Sequence, residues 1–196
     1  PPIAVDDDQY QVVEDGLLTV DGDNSLLVND FDDDNEMTEV TLSVVSPTNN
    51  GTLTLLDNGE FTYEPNPNFA GIDTFSYSLT DPENNSTTAQ VTINVLQQND
   101  PPVAVNDEYT LSHLQPFHAF AGIGLLQNDT DLEGDSLSVD IASIVSPSSG
   151  SVEVNADGSF TYTAQEGFIG IDSFSYQATD GSLNSVTATV ELTVIE

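Results

Sequence analysis

The sequence repeats itself from end to end at a shift of about 99 residues, so whatever fold its 196 residues adopt must be built twice. PPIAVDD at Pro1 to Asp7 returns as PPVAVND at Pro101 to Asp107, and LLVNDFD at Leu26 to Asp32 returns as LLQNDTD at Leu125 to Asp131. SVVSP ending at Pro47 matches SIVSP ending at Pro147, and GIDTFSY at Gly71 to Tyr77 matches GIDSFSY at Gly170 to Tyr176. So many collinear matches exclude chance similarity. The boundary falls near Asn99 to Pro102, which predicts modules at 1–98 and 99–196, each of a usual size for a β-sandwich.

Within each module the apolar residues alternate with period two, the pattern of half-buried antiparallel strands. The inward positions are Leu53 and Leu55, Phe61 and Tyr63, then Phe75, Tyr77 and Leu79, and finally Ala89, Val91, Ile93 and Val95. Asp57-Asn58-Gly59-Glu60 supplies a tight hairpin turn that tolerates positive φ, and Asp157-Gly158 occupies the same place in the second module. These signals predict an all-β chain of two tandem immunoglobulin-like sandwiches with about seven strands each and no helical stretch. The segment from Asp21 to Glu39 is too polar for a regular strand, and long ordered loops of this kind usually carry function.

Charge narrows the function further. The chain has 34 acidic residues, no lysine and no arginine, for a formal charge of -34. Nucleic acids and anionic lipid surfaces are bound largely through Lys and Arg, so both are excluded as partners. Lysine-dependent phosphate loops and Lys–Asn crosslinks are excluded for the same reason. With 37% hydrophobic residues, nine Phe and six Tyr, the chain nevertheless has the means to build a core, which a disordered acidic tail lacks. No run approaches the roughly 18 apolar residues of a membrane span, and no basic segment precedes an apolar one at the start. The chain therefore reads as a soluble fragment without membrane insertion. Cysteine is absent, so a bound cation is the obvious substitute for disulfide staples.

Taken together, PPVAVND, LLQNDTDLEGDSL, ADGSFTY and GIDSFSY followed by Asp180 resemble the cadherin-like and bacterial immunoglobulin-like tandem repeats of giant secreted adhesins of the RTX type, over essentially the whole chain. The resemblance implies extended rods of extracellular modules whose joints are stiffened by calcium. Module one follows the family pattern with Glu14-Asp15 in its first interstrand turn. Module two departs from it: Leu111-Ser112-His113-Leu114-Gln115-Pro116 offers no carboxylate there.

Calcium takes six to eight oxygen ligands, and Asn128 to Asp135 presents several in a row. If strands run alternately up and down, this loop and the Asp180 loop lie at the end of module two that faces module one. Opposite them would stand the Glu14-Asp15 turn, the loop leading to Asp73, and the linker residues Asn99 and Asp100. The expected ligands at the joint are Glu14, Asp15, Asp73, Asn99, Asp100, Asp129, Asp131 and Asp180. A second cluster, Asp7, Asp30, Asp32 and Asp81 with Asp6 and Asp34 beside them, is expected at the free end of module one. Two like charges about 4 Å apart repel by roughly 4 kcal/mol at an effective dielectric of 20, so such clusters favour a neutralising ion. The linker Asn99-Asp100-Pro101-Pro102 also looks like the calcium-binding joint between cadherin repeats, and its prolines limit flexibility.

No catalytic motif stands out. His113 and His118, the only histidines, lie five residues apart without one. The expected function is thus a non-catalytic, extracellular spacer whose partners are neighbouring repeats, with any surface glycan or protein target reached through other domains. The alternatives are a carbohydrate- or surface-ligand-binding module, for which Phe117 and Phe120 are the unusual aromatics, and an accessory domain of a secreted hydrolase.

Overall fold

The computed structural model describes all residues, 1–196, and divides into two compact units, Pro1–Gln98 and Asn99–Glu196. Module one contains β1 (Pro2–Ile3), β2 (Asp7–Val13), β3 (Leu18–Val20), β4 (Phe31–Asp32), β5 (Thr41–Ser46), β6 (Gly51–Leu55), β7 (Phe61–Pro65), β8 (Gly71–Thr80) and β9 (Ser86–Leu96). Seven of these nine are longer than two residues. One sheet has the order β2-β9-β8-β5, a second has the order β3-β7-β6, and β1 pairs with β4. The strand pairs are antiparallel except β2 with β9, which is parallel. A purely up-and-down reading misses that pair, because a parallel partner requires a crossover and here the rest of the sandwich supplies it.

Module two contains β10 (Asp107–Ser112), β11 (Phe117–Ala119), β12 (Ser138–Val139), β13 (Gly150–Val154), β14 (Phe160–Ala164), β15 (Gly170–Tyr176), β16 (Ala178–Thr179) and β17 (Ala188–Ile195). Its sheets are β10-β17-β15, β11-β14-β13 and the short pair β12-β16, with β10 again parallel to β17. The two modules differ at one edge. Where module one has the six-residue β5, module two has only the two-residue β12 paired with β16, then a 3-10 turn at Ile141–Ser143 and a single bridge from Val145 to Ser175.

The alternating residues fill the core as their period requires. Phe61, Tyr63, Phe75, Tyr77, Leu79, Ala89, Val91, Ile93 and Val95 are buried, while Leu53 and Leu55 pack half-buried against them. Phe61 meets both Tyr10 and Phe75 edge-on, and Phe160 does the same with Tyr109 and Phe174. The polar segment after β3 still anchors the core: its 3-10 turns present Leu26 and, in the copy, Leu125, both fully buried. Leu26 N–H donates to the Gly59 carbonyl at 3.0 Å. Gly59 sits at φ +81°, and a Cβ there would come within 2.8 Å of Leu27, so the hairpin turn and this loop both require glycine.

Candidate functional site

Each module carries three polar arrangements built on the same strand frame. The first lies inside the sandwich. Asp73 projects inward from β8 and is 2% exposed. Its Oδ1 accepts from the N–H groups of Asn49 (3.1 Å) and Thr74 (2.9 Å), and its Oδ2 from Asn50 N–H (2.8 Å) and the Tyr63 hydroxyl (2.9 Å). Asp172 does the same with Ser148, Ser149, Ser173 and Tyr162. Burial works to raise both carboxyls, but the hydrogen bonds together outweigh it and hold each below the ordinary carboxylate value. With both oxygens engaged, Asp73 pins the turn before β6 to the core; the structure gives it this internal task.

The second arrangement joins Asp7 and Asp30. Asp30 accepts from Val5 N–H and from the Tyr77 hydroxyl, both at 2.8 Å, while Asp7 accepts from the Asn29 amide at 3.1 Å and lies 3.5 Å from the same hydroxyl. In module two Asp129 accepts from Val105 N–H (2.8 Å) and the Tyr176 hydroxyl (3.0 Å), with Asp107 3.3 Å from that hydroxyl. Burial, then the neighbouring Asp30 charge, pushes Asp7 up to about 7. Burial is likewise the largest cause for Asp107, also raised to about 7, where the Asp129 charge adds to it and the Tyr176 hydrogen bond opposes it. Two close carboxylates in a dry setting retain a proton between them near neutral pH.

The third arrangement faces the loops. In module two the Asn99 amide donates to Asp180 at 2.7 Å, and Asp100 N–H donates to Glu133 at 3.2 Å. Asp131 Oδ1 accepts from the N–H groups of Glu133 (3.1 Å) and Asp135 (3.0 Å), which turns the loop around it, whereas its Oδ2 is buried with no hydrogen-bond partner. Asp180 is held low by the Asn99 amide and then by the Leu183 and Ser182 N–H groups. Module one repeats the pattern. Asp32 Oδ1 accepts from Asp34 N–H (2.8 Å) and Asn35 N–H (3.2 Å), its side chain is 0% exposed, and its Oδ2 is again buried and unpartnered. Asp81 is tied to Asn85, and the backbone nitrogen of Pro1 lies 3.8, 3.6 and 4.0 Å from Asp32, Asp34 and Asp81.

The expected ligands therefore separate. Asp131, Asp180, Asn99 and Asp100 come together in module two, joined by Glu133, and Asp32 and Asp81 with Asp34 in module one. Asp129, Asp7 and Asp30 belong to the tyrosine-linked pairs. Glu14, 4% exposed, accepts from Gln98 N–H, and Asp15 accepts from Asn68 N–H at 3.0 Å, so each fastens a chain segment of module one. No three acidic or imidazole side chains are arranged to hold a metal ion as they stand. The unpartnered buried oxygens of Asp32 and Asp131 and the all-oxygen donor set nevertheless suit a hard cation. The tyrosine hydroxyls and Asp107 escaped the sequence reading, although Tyr63 and Asp73 recur together as Tyr162 and Asp172 at one common shift.

His113 and His118 do not meet: the first contacts the Ile195 carbonyl and the second the Thr161 hydroxyl. Phe117 stacks against Tyr109 and Phe160, leaving Phe120 as the exposed ring of that stretch.

Two sandwiches of this topology, each carrying an acidic loop cluster at its N-terminal end, define the class of cadherin-like and immunoglobulin-like tandem repeats. Residues 1–97 match the model of the bacterial cadherin-like domain and residues 99–193 that of the bacterial Ig domain. The chain belongs to these two domain families, one per module. No curated protein matches it. Among solved structures it is similar to Drosophila N-cadherin EC1-4 (TM-score 0.62, 14% identity, 97% of this chain and 49% of that one). Protocadherin gammaB7 EC3-6 is also similar (0.55, 18%, 100% and 48%), as is mouse cadherin-23 EC22-24 (0.55, 14%, 97% and 63%). The chain thus spans about half the length of the first two, and at these identities the likeness concerns the fold. Domains of both families are typically extracellular repeats and generally non-catalytic.

Proposed function

We propose that this chain is a pair of non-catalytic extender repeats from a cell-surface or secreted adhesin, stiffened by calcium where one repeat meets the next. The observation that carries the reading is the buried, unpartnered Oδ2 of Asp131, set beside the linker residues Asn99 and Asp100 and duplicated as Asp32 in module one. Bound calcium would neutralise these carboxylates and give the orphaned oxygens a partner. Asn99, Asp100, Asp131, Glu133 and Asp180 are the residues to hold it in module two, and Asp32, Asp34 and Asp81 in module one. Because Asn99 and Asp100 are linker residues, an ion there fastens the linker to the module that follows.

Calorimetric titration of the chelator-treated protein tests the binding, and small-angle scattering with calcium and with chelator tests the stiffening. The expected outcome is saturable calcium uptake that Asp131→Asn weakens, together with a narrower distribution of interdomain angles. Uptake unaffected by Asp131→Asn, or a distribution indifferent to calcium, overturns the reading. A carbohydrate-binding alternative has less support, since Phe117 is committed to the core and Phe120 alone makes no aromatic platform.

A further inference from the structure

Module one has an open flank that module two lacks. β5 ends the four-stranded sheet and β6 ends the three-stranded one, so both have a free edge, as β13 has in module two; the modules differ in whether the gap beside that edge is closed. At the start of β5 the structure contains a cavity of about 590 Å³, floored by Leu27, Met37, Val40 and Leu42 and rimmed by Glu39 and Asp57. That volume falls within the range of ligand-binding clefts, roughly 300–1,000 Å³. Pairing register equates Leu42, opposite Leu79, with Val139, opposite Ala178. In module two Val139 is 3% exposed and its N–H donates to the Ala156 carbonyl at 2.9 Å, which sews the corresponding gap shut. Leu42 makes no such bond and is only half-buried. Farther along β5, Val44 and Val45 are 43% and 57% exposed.

We propose that this flank docks an extended segment of another protein in which Lys or Arg alternates with aliphatic residues. The segment adds a strand to the β5 edge, seats an aliphatic side chain over Met37 and Leu42, and sets its cations against Glu39 and Asp57. Strand addition takes affinity from main-chain hydrogen bonds and specificity from pockets for alternate side chains. The occupant is foreign by charge. Nothing in this chain supplies Lys or Arg, and a second copy, also at -34, is repelled. Edge strands are usually protected by lysines, bulges or cover; β5 has one register irregularity, between Val44 and Ser46, but no lysine and no covering strand. Here net charge discourages self-pairing while inviting a basic strand. The inference does not depend on calcium.

Met37 is the only methionine, so labelling with [methyl-13C]methionine gives one reporter signal inside the cavity. The probe is a capped Lys-Val-Lys-Val-Lys-Val peptide added to the full chain at about 0.15 M salt, an ionic strength that screens long-range attraction beyond roughly 8 Å. Controls are the same residues in block order and a Glu-Val-Glu-Val-Glu-Val peptide. The expected result is a saturable Met37 shift and slowed amide exchange along β5, with the block-ordered peptide bound less tightly. The surface variant Glu39→Gln/Asp57→Asn lowers the affinity roughly three- to tenfold, and Val45→Lys lowers it further. A silent Met37, an equal response to the block-ordered or acidic peptide, shifts spread over the acidic loops of both modules, or sedimentation showing that β5 pairs with a second copy each overturns the proposal.

Discussion

Asp172 illustrates how one carboxylate can hold a module together: five groups donate to it in the dark interior of β15. Asp172→Ala strands the Tyr162 and Ser148 hydroxyls and three backbone N–H groups, and should cost about 3 kcal/mol or more, read as a lower denaturant midpoint for module two with module one unchanged. The folded Asp172 carboxyl lies below its ordinary value of 3.8, so its stabilisation is fully present above that value and disappears as pH falls through the lowered one. Acid unfolding of wild type should therefore set in below about pH 4, and the Asp172→Asn variant should show less of that slope. Asp107 has the opposite sign. Its folded value, about 7, exceeds the ordinary 3.8, so the stability it contributes is complete below that lower figure and lost as pH rises to about 7. In chelator, thermal midpoints measured across this window should fall with rising pH, and Asp107→Asn should flatten the trend. An unaltered slope in that variant would remove the shared-proton account of the pair.

At the level of strands and turns, the glycine at the β6–β7 turn can be tested directly. Gly59→Ala must bear both a positive φ and a contact of 2.8 Å with Leu27, and should destabilise module one by roughly 1–3 kcal/mol by calorimetry. That turn was legible because Asn-Gly between alternating apolar runs has a short-range cause, and Phe75, Tyr77 and Val91 were legible because period two assigns a face. The parallel pairing of β2 with β9 was not, since register between chain ends leaves no local mark. Nor was the division of the acids into three groups. Asp30 and Asp32, like Asp129 and Asp131, stand two residues apart in sequence, yet one of each pair turns to a buried tyrosine and the other to the loop. Their spacing in sequence is the same, and only the arrival of Tyr77 or Tyr176 from β8 or β15 distinguishes them. The interruption of the β5 counterpart in module two was equally hidden, because SIVSP preserves the apolar residues of SVVSP while the chain between β12 and this stretch coils into a 3-10 turn.

For the molecule as a whole, a charge of -34 with no basic side chain is self-repulsive. Without divalent ions, thermal midpoints should climb as monovalent salt rises from about 0.01 to 0.15 M, over which the Debye length shrinks from roughly 30 to 8 Å. A flat response in scanning calorimetry would show that the fold does not feel this repulsion. Tandem copies of one sandwich also face a hazard during folding: a strand can insert into its neighbour's sheet. Asp7 and Tyr10 of β2 sit opposite Val91 and Ile93, three steps matched to two, whereas Asp107 and Tyr109 of β10 sit opposite Val190 and Leu192, two matched to two. The extra residue of module one is taken up in that kink. If β2 entered the partner sheet, either its aspartate or its tyrosine would land a place out of step and on the wrong face. A single inserted residue thus acts as a key that keeps two nearly interchangeable neighbours from trading first strands.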